Sequence, residues 1–165
     1  MREIALVAHN LRSIHNVGSI LRSCDGFGVQ RVFCTGYTPY PSLPNDTRLP
    51  HIRTKITRQL HKTALGAEET IDIRHEDDIQ TALTALRADG YTIAALEQSK
   101  NSVALSEYTP PYKIALIVGR EVEGIEPDIM KETDLHLEIP MRGTKESFNV
   151  SVAAAIALYH CRFLS

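Results

Sequence analysis

The sequence contains no tryptophan, only three cysteines and no long run of apolar residues, and its charges nearly balance at a net −2. A membrane-spanning helix needs roughly 18 or more consecutive apolar residues, so none is expected, and the first residues lack a signal-peptide cleavage site. Cys24, Cys34 and Cys161 form no Cys-x-x-Cys pair, which argues against a disulfide framework and against a zinc site. We therefore expect a cytoplasmic protein without a metal, in which these cysteines are small buried apolar residues.

Several common catalytic motifs are also missing. A dinucleotide fingerprint would need a third glycine where the sequence has Arg31, and no phosphate-binding GxxxxGK[ST] loop occurs. The zinc-protease pattern HExxH and the serine-hydrolase pattern GxSxG are absent as well. A nucleotide-dependent enzyme acting on small molecules thus remains only an alternative.

The composition is that of an ordinary globular domain, with 43% hydrophobic and 23% charged residues among 165. Short runs rich in Val, Ile and Leu alternate with helical spacing, which predicts one α/β domain over residues 1–165. Its open, mostly parallel sheet should have about six strands with helices on both faces. The expected strands are Ile4–His9, Arg31–Thr35, Thr70–Arg74, Thr92–Leu96, Lys113–Val118 and Leu135–Ile139. The expected helices are Val17–Phe27, with Asn16 as N-cap, Ile79–Arg87 after the caps Asp77 and Asp78, and Val150–Phe163.

A proline-rich loop and a basic stretch follow the second expected strand. No acid occurs from Thr47 to Ala67, whereas Glu68–Asp78 contains six acids and one arginine. A locally dense group of cations can bind phosphates even on a chain of slightly negative net charge. The loop Gly36–Pro50 could equally be an irregular surface loop, and the basic stretch could equally be a solvated amphipathic helix.

Three polar segments coincide with the expected carboxyl ends of strands, where α/β proteins bind ligands. The first has the pattern Asn-x-Arg-(x)₃-Asn-x-Gly-(x)₃-Arg, at Asn10, Arg12, Asn16, Gly18 and Arg22. The second is Gly-x-Glu-x-x-Gly, at Gly119, Glu121 and Gly124. The third begins Ile139-Pro140-Met141-x-Gly143 and continues as Ser147-Phe148-Asn149-Val150-Ser151-Val152-Ala153.

This ordered trio resembles the SpoU/TrmH family of RNA ribose 2′-O-methyltransferases, which belongs to the SPOUT class of knotted enzymes. The resemblance spans nearly the whole chain. It departs from the family pattern at Phe148, where leucine is usual, and at Glu123, which adds an acid to the second motif.

The resemblance implies a deep trefoil knot in the carboxyl-terminal third, S-adenosylmethionine as cofactor, and an obligate homodimer with interface elements in the first and last helices. Its cofactor residues would be Leu96, Gly119, Ile139, Met141 and Phe148. Its catalytic residues would be Arg22, Asn16, Glu121, Ser147 and Asn149. Because a guanidinium stays protonated at neutral pH, we expect Arg22 to hold a phosphate and polarise the 2′-OH rather than act as a base.

The RNA itself is less well defined by the sequence. In the family that the chain resembles, members acting on ribosomal RNA often carry an additional amino-terminal RNA-binding domain, and some members acting on tRNA carry terminal helical extensions. We expect neither here, and the resemblance therefore favours tRNA over rRNA as the substrate. Arg12, Arg48, Arg53, Lys55 and Arg58 are the hypothetical RNA contacts. A base methyltransferase of the same class and a catalytically silent RNA-binding protein of the same fold remain alternatives.

Overall fold

A computed structural model describes residues 1–164 and places strands and helices in alternation along most of the chain. The strands are β1 (Glu3–His9), β2 (Arg31–Thr35), β3 (Asp72–Glu76), β4 (Thr92–Leu96), β5 (Val103–Ala104), β6 (Lys113–Val118) and β7 (Leu135–Glu138). The helices are α1 (Ile14–Gly26), α2 (Pro50–Ala64), α3 (Ile79–Ala88), α4 (Pro127–Lys131) and α5 (Val150–Phe163), with short 3₁₀ turns at Ala67–Glu69 and Leu105–Glu107.

The seven strands form one sheet in the order β3-β2-β1-β6-β4-β7-β5, and each pairing is parallel. The predicted α/β class is therefore confirmed. The additional strand relative to the six expected is β5, which has only two residues and so leaves no recognisable pattern in the sequence. Because all strands run the same way, their carboxyl ends share one edge, where ligands bind in folds of this kind.

Helices cover both faces of the sheet. On one face α1, α2 and α5 pack over the alternate residues Ile4, Leu6 and Ala8 of β1, while α3 and α4 pack on the other face over Ala5 and Val7. All three cysteines are buried and unpaired, as the sequence predicts. Within residues 1–164 no helix is both long enough and apolar enough to cross a bilayer.

Several element boundaries differ from those expected by one to three residues. Helix α1 begins at Ile14, and its N-cap is Ser13, whose Oγ accepts a hydrogen bond from the backbone N–H of Asn16 at 3.2 Å. The prediction that Asn16 is the N-cap is therefore wrong, and its amide is free for other contacts. Strand β3 starts two residues later than expected, because its register with β2 pairs Asp72 with Arg31. Strand β7 ends at Glu138 rather than Ile139.

The basic stretch forms α2, which crosses α1 at a very short distance. A Cβ placed on Gly18 of α1 would lie 2.0 Å from Thr63 Oγ1 and 2.7 Å from the Leu60 carbonyl oxygen of α2. Thr63 Oγ1 also donates to the His15 carbonyl at 3.1 Å. The first motif's glycine is thus required for helix packing, and α2 is fixed against the domain.

Candidate active site

A cavity of about 270 Å³ opens at the carboxyl ends of β4, β6 and β7, next to the first turn of α5. This volume lies just below the lower limit of roughly 300 Å³ that is usual for small-molecule sites. Its lining includes all five residues predicted to bind a cofactor, namely Leu96, Gly119, Ile139, Met141 and Phe148. The structure therefore brings together residues from three separate segments, as the motifs imply.

The cavity wall has an apolar part and an acidic part. Val118, Leu137 and Val150 join the predicted apolar residues. The acidic part consists of the carboxylates Glu97, Glu121, Glu123, Glu138 and Glu146. Such a cavity can hold a ligand that combines a flat apolar group with positive charge.

Two glycines allow the two ends of the loop after β6 to approach each other closely. A Cβ on Gly119 would meet Ile125 Cγ1 at 2.6 Å and the carbonyl carbon of Gly124 at 2.8 Å. Gly124 has a φ of +70°, a left-handed conformation that favours glycine. The second motif therefore forms a compact turn, closed by a backbone hydrogen bond from Gly124 N–H to the Arg120 carbonyl at 3.1 Å.

Glu97, the first residue after β4, supports this turn and lies outside the three sequence motifs. Its Oε2 accepts from the backbone N–H of Ile125 at 3.1 Å. A Cβ on Gly124 would lie 2.2 Å from the same oxygen. Its neighbour Gln98 donates to the Glu146 carbonyl at 2.8 Å. The only sequence signal for Glu97 is an acid at the carboxyl end of an apolar strand.

Hydrogen bonds connect one residue of each motif across the mouth of the cavity. Asn149 Nδ2 donates to Asn16 Oδ1 at 3.2 Å, and Asn16 Nδ2 donates to Glu121 Oε1 at 3.4 Å. Asn149 Oδ1 accepts from the backbone N–H of Ser151 at 2.9 Å and so caps α5. The side-chain amides of Asn16 and Asn149 therefore hold the three motifs together.

Glu121 is the acceptor at the end of this chain of contacts. Besides Asn16, its carboxylate accepts from the backbone N–H groups of Ser13 at 3.2 Å and Arg12 at 3.4 Å. Partial burial raises the pKa of Glu121, but the hydrogen bonds to the carboxylate outweigh it and hold the pKa below its ordinary value. Glu121 is therefore ionised at neutral pH and anchors the start of α1.

A second polar cluster lies at the carboxyl ends of β1 and β2. His9 Nδ1 lies 2.8 Å from Thr35 Oγ1, and His9 Nε2 lies 3.0 Å from Asn10 Nδ2 and 3.3 Å from Glu126 Oε2. Glu126 Oε1 also pairs with Arg120 at 3.4 Å. This cluster connects β1 to the segment that follows the second motif.

The remaining predicted catalytic residues occupy different places. Ser147 lines the cavity, but Arg22 does not. Arg22 is exposed on α1, nearly two turns after Asn16, and makes no side-chain hydrogen bond within residues 1–164. The structure of one chain therefore brings together the expected site residues except Arg22.

Among the predicted RNA contacts, Arg48 has extensive contacts within the chain. Its guanidinium lies 3.5 Å from the Tyr40 ring centroid, donates to Asp46 and the Tyr40 carbonyl, and leaves only 18% of the side chain exposed. Its hydrogen bond to Asp46 holds the pKa of that carboxyl well below its usual range. Tyr40 in turn stacks on His75 with centroids 3.9 Å apart. These contacts order the proline-rich loop, and the RNA contact of Arg48 stays a prediction.

The other predicted RNA contacts remain on the surface. Lys55 and Arg58 are exposed on α2 and have no side-chain partner in the described part of the chain. Arg53 is half-buried and donates to the Asp46 carbonyl at 3.3 Å. Arg12 is exposed and pairs with Glu123 at 3.3 Å.

Comparison with known proteins relates nearly the whole chain to one family. Residues 3–159 match the profile of the SpoU rRNA Methylase family. A tRNA (guanosine(18)-2′-O)-methyltransferase from Aquifex aeolicus is 29% identical over 163 residues, which cover 98% of this chain and 69% of the relative. The enzyme of the same description from Thermus thermophilus is 26% identical, with 97% of this chain and 74% of the relative covered.

Solved structures agree with this relationship. The crystal structure of the A. aeolicus TrmH/SpoU tRNA-modifying enzyme superposes with a TM-score of 0.80 at 27% identity and covers 99% of this chain and 76% of that one. An AdoMet-bound rRNA methyltransferase from Sinorhizobium meliloti superposes equally well at 22% identity, over 99% of this chain and 57% of that one. The latter likeness concerns the fold alone.

Proposed function

Because the chain belongs to the SpoU rRNA Methylase family, we propose that it transfers a methyl group from S-adenosylmethionine to a ribose 2′-hydroxyl of tRNA. The observation that carries the proposal is the hydrogen-bonded junction of Asn149, Asn16 and Glu121, which joins the three family motifs at one cavity. The related enzymes from A. aeolicus and T. thermophilus are named for 2′-O-methylation of guanosine 18 of tRNA, which supports tRNA as the substrate class.

The cavity fits S-adenosylmethionine chemically. Leu96, Ile139, Met141 and Phe148 offer apolar surface for the adenine, and the close turn at Gly119 leaves backbone accessible beside it. The acidic side of the wall suits a ligand with an ammonium and a sulfonium group. When bound, the cofactor supplies an electrophilic methyl group.

The protein's own contribution to the reaction is mainly positioning. A 2′-oxygen must lie in line behind the methyl group with water excluded, and correct alignment accounts for a large part of such rate enhancements. Both polar groups of the Asn16 amide are engaged within the chain, so Asn16 acts by holding the motifs rather than by touching the ribose. Arg22 remains free to hold a phosphate and to polarise the 2′-hydroxyl.

We propose that the active unit is a homodimer in which Arg22 of each chain serves the cavity of the other. Helix α5 exposes an apolar stripe, Val152, Ile156, Tyr159 and Phe163, that a second copy could cover. Helix α1 is joined to this stripe by Phe27, whose ring meets those of Tyr159 and Phe163 edge to face at 6.1 and 6.2 Å. An exposed Arg22 on α1 thus belongs to the layer that would form the interface.

We also propose that residues 1–165 act as one methyltransferase domain in the cytoplasm and that its carboxyl-terminal third is knotted.

The knot is supported by the hydrogen bonds of the segment before α5. Gln98 in the loop after β4 donates to the Glu146 carbonyl, and Asn149 at the end of the segment donates to Asn16 of α1. Pulling the chain from its ends tests the knot, because a tightened knot leaves the unfolded chain shorter than its roughly 3.6 Å per residue limit. Extension to the full limit would exclude it.

The exposed cations of α2 form the proposed RNA-binding surface, together with Arg12. Replacing Arg58 by Gln should weaken tRNA binding and reduce the steepness of its salt dependence by about one unit of the logarithmic slope, because one phosphate contact is lost. Arg87→Gln is the control, because Arg87 is exposed on α3 on the other face of the sheet, where it pairs with Glu132. If the salt dependence of tRNA binding is the same in Arg58→Gln and wild type, α2 is a solvated helix that does not contact RNA.

The central experiment is methyl transfer to unmodified tRNA transcripts from S-adenosylmethionine labelled in the methyl group. Label should enter the RNA with wild-type protein and be lost with Arg22→Ala, while calorimetry shows that Arg22→Ala still binds the cofactor. Cofactor binding without transfer to any RNA would instead favour a catalytically silent RNA-binding protein.

A further inference from the structure

The loop after β2 presents an exposed tyrosine at the carboxyl edge of the sheet. Tyr37 is 52% exposed, although the next residue, Thr38, is buried. The catalytic chemistry proposed above does not use this side chain. An exposed tyrosine ring beside a functional edge is available for stacking and hydrogen bonding to a ligand.

The backbone that carries Tyr37 is held firmly. Its N–H donates to Asn10 Oδ1 at 3.2 Å, and Thr38 Oγ1 donates to the Ala8 carbonyl at 2.8 Å. Gly36 adopts a φ of +62°, and a Cβ there would lie 2.0 Å from Asn10 Oδ1. The ring is therefore presented by an ordered turn, so little further ordering of the backbone is needed when a ligand binds.

Contacts lead from Tyr37 to the cavity. The backbone N–H of Leu11 donates to Thr38 Oγ1 at 3.0 Å, which holds the loop that carries Arg12 against the loop that carries Tyr37. Tyr37 and Glu123 both raise the pKa of the Arg12 guanidinium. Arg12 Nη2 lies 3.3 Å from Glu123 Oε1, and Glu123 lines the cavity. Tyr37 is thus linked to the cavity wall through the loop that carries Arg12.

We propose that Tyr37 is a stacking platform for an unpaired base next to the methylated nucleotide, with Arg12 beside it for the adjoining phosphate. This inference rests on the proposed function, because it places an RNA strand at the cavity. Proteins that recognise single-stranded RNA stack splayed-out bases on aromatic rings, and an arginine at the ring edge adds a charge for the backbone. Tyr37 in the loop after β2 and Arg12 in the loop after β1 supply these two elements.

The test compares Tyr37→Leu, which removes the ring, with Tyr37→Phe, which keeps it and removes only the hydroxyl. Tyr112→Leu is the matched control, because Tyr112 is 61% exposed but directly precedes β6 and so lies at the opposite edge of the sheet. Affinity for a tRNA transcript is measured by fluorescence anisotropy over a range of salt concentrations, and affinity for S-adenosylmethionine is measured by calorimetry.

Tyr37→Leu should weaken RNA binding about 5- to 150-fold, the equivalent of one lost base stack, with an unchanged salt slope and unchanged cofactor affinity. Tyr37→Phe should stay within about twofold of wild type. If Tyr37→Leu weakens RNA binding no more than Tyr112→Leu does, the stacking role is wrong. The proposed function would still stand in that case, provided that the wild-type protein methylates RNA. A loss of RNA binding equal in the leucine and phenylalanine variants would also overturn it, since the hydroxyl and not the ring would then matter. Absence of methyl transfer by wild type, with the binding pattern intact, would count against the proposed function alone.

Discussion

Asn149 has two separate roles at the start of α5. Its Oδ1 caps the helix by accepting from Ser151 N–H, and its Nδ2 donates to Asn16 in the first motif. A helix cap contributes about 1 kcal/mol of stability, whereas the contact with Asn16 positions residues that belong to the site. These two roles can be separated by substitution.

Asn149→Ala should lower the free energy of unfolding by about 1 kcal/mol and should also reduce methyl transfer, because both contacts are lost. Asn149→Ser should keep most of the stability, since serine is also a good N-cap, but should still reduce kcat. Urea unfolding and single-turnover methylation provide the two measurements. Equal activity in Asn149→Ser and wild type would show that Asn149 acts only as a cap.

His9 lies in a partly apolar place that disfavours its charged form. Burial lowers the pKa of His9, and this outweighs the opposite effect of Glu126. A histidine whose pKa is lowered on folding binds protons more weakly in the folded protein than in the unfolded chain. Its full contribution to the free energy of unfolding is therefore present at pH values above the unfolded pKa of about 6.5. That contribution is lost as the pH falls below this value.

The free energy of unfolding should therefore decrease as the pH falls below about 6.5, and His9→Gln should reduce this decrease. Denaturant titrations at several pH values measure it, with His51→Gln as the control at an exposed position of α2. Glu126, whose pKa is also lowered, would affect stability only in the more acidic range below its ordinary value. The same pH dependence in His9→Gln and wild type would contradict the assignment.

At the scale of elements, the turn after β6 depends on the absence of a side chain. Gly119 faces both Ile125 and the backbone of Gly124, and Glu97 holds the turn from the neighbouring strand. Adding a side chain at such a position typically costs about 1–3 kcal/mol of free energy. If this cost falls on the ligand-binding conformation, affinity decreases about tenfold to hundredfold. This turn also forms part of the proposed cofactor wall.

Gly119→Ala should displace the turn and weaken S-adenosylmethionine binding measured by calorimetry. Gly143→Ala is the matched control, because Gly143 belongs to the third motif but a Cβ there would meet nothing within 4 Å. We expect its cofactor affinity to match wild type. If both variants bind equally well, the turn is not part of the cofactor site.

The sequence predicts six of the seven strands from their short apolar runs and helices α1 and α3 from the helical spacing of their apolar residues. It predicts α5 from a segment that is rich in alanine and contains no Pro or Gly. It does not decide the structure of α2, because Leu49 provides no side-chain cap and only Leu60 and Ala64 are buried. It also gives Gly18 no packing role, since the contact with Thr63 joins two helices that are distant in sequence. The motifs predict which residues form the cavity, but the hydrogen bonds between them depend on the fold.

At the scale of the whole molecule, the site of a single chain lacks Arg22. The residue is exposed outside the cavity, whereas the other residues expected in the site lie in or beside it. In a twofold dimer, a residue on the interface of one chain can complete the site of the other. This arrangement makes a clear prediction for mixed dimers.

Arg22→Ala and Gly119→Val should each be inactive as homodimers. A heterodimer isolated with two different tags should regain up to about half of the wild-type activity, because one of its two sites has both an intact cavity and an intact arginine. Methyl transfer per dimer is the measurement. An inactive heterodimer would show that Arg22 serves the cavity of its own chain.

The most direct test of the whole account is the chemical position of the transferred methyl group. After incubation with labelled S-adenosylmethionine and unmodified tRNA transcripts, the RNA is hydrolysed in alkali, which cannot cleave a phosphodiester next to a 2′-O-methyl ribose. Recovery of the label in alkali-stable dinucleotides is the predicted result. Recovery in mononucleotides would show methylation of a base and would contradict the proposed function.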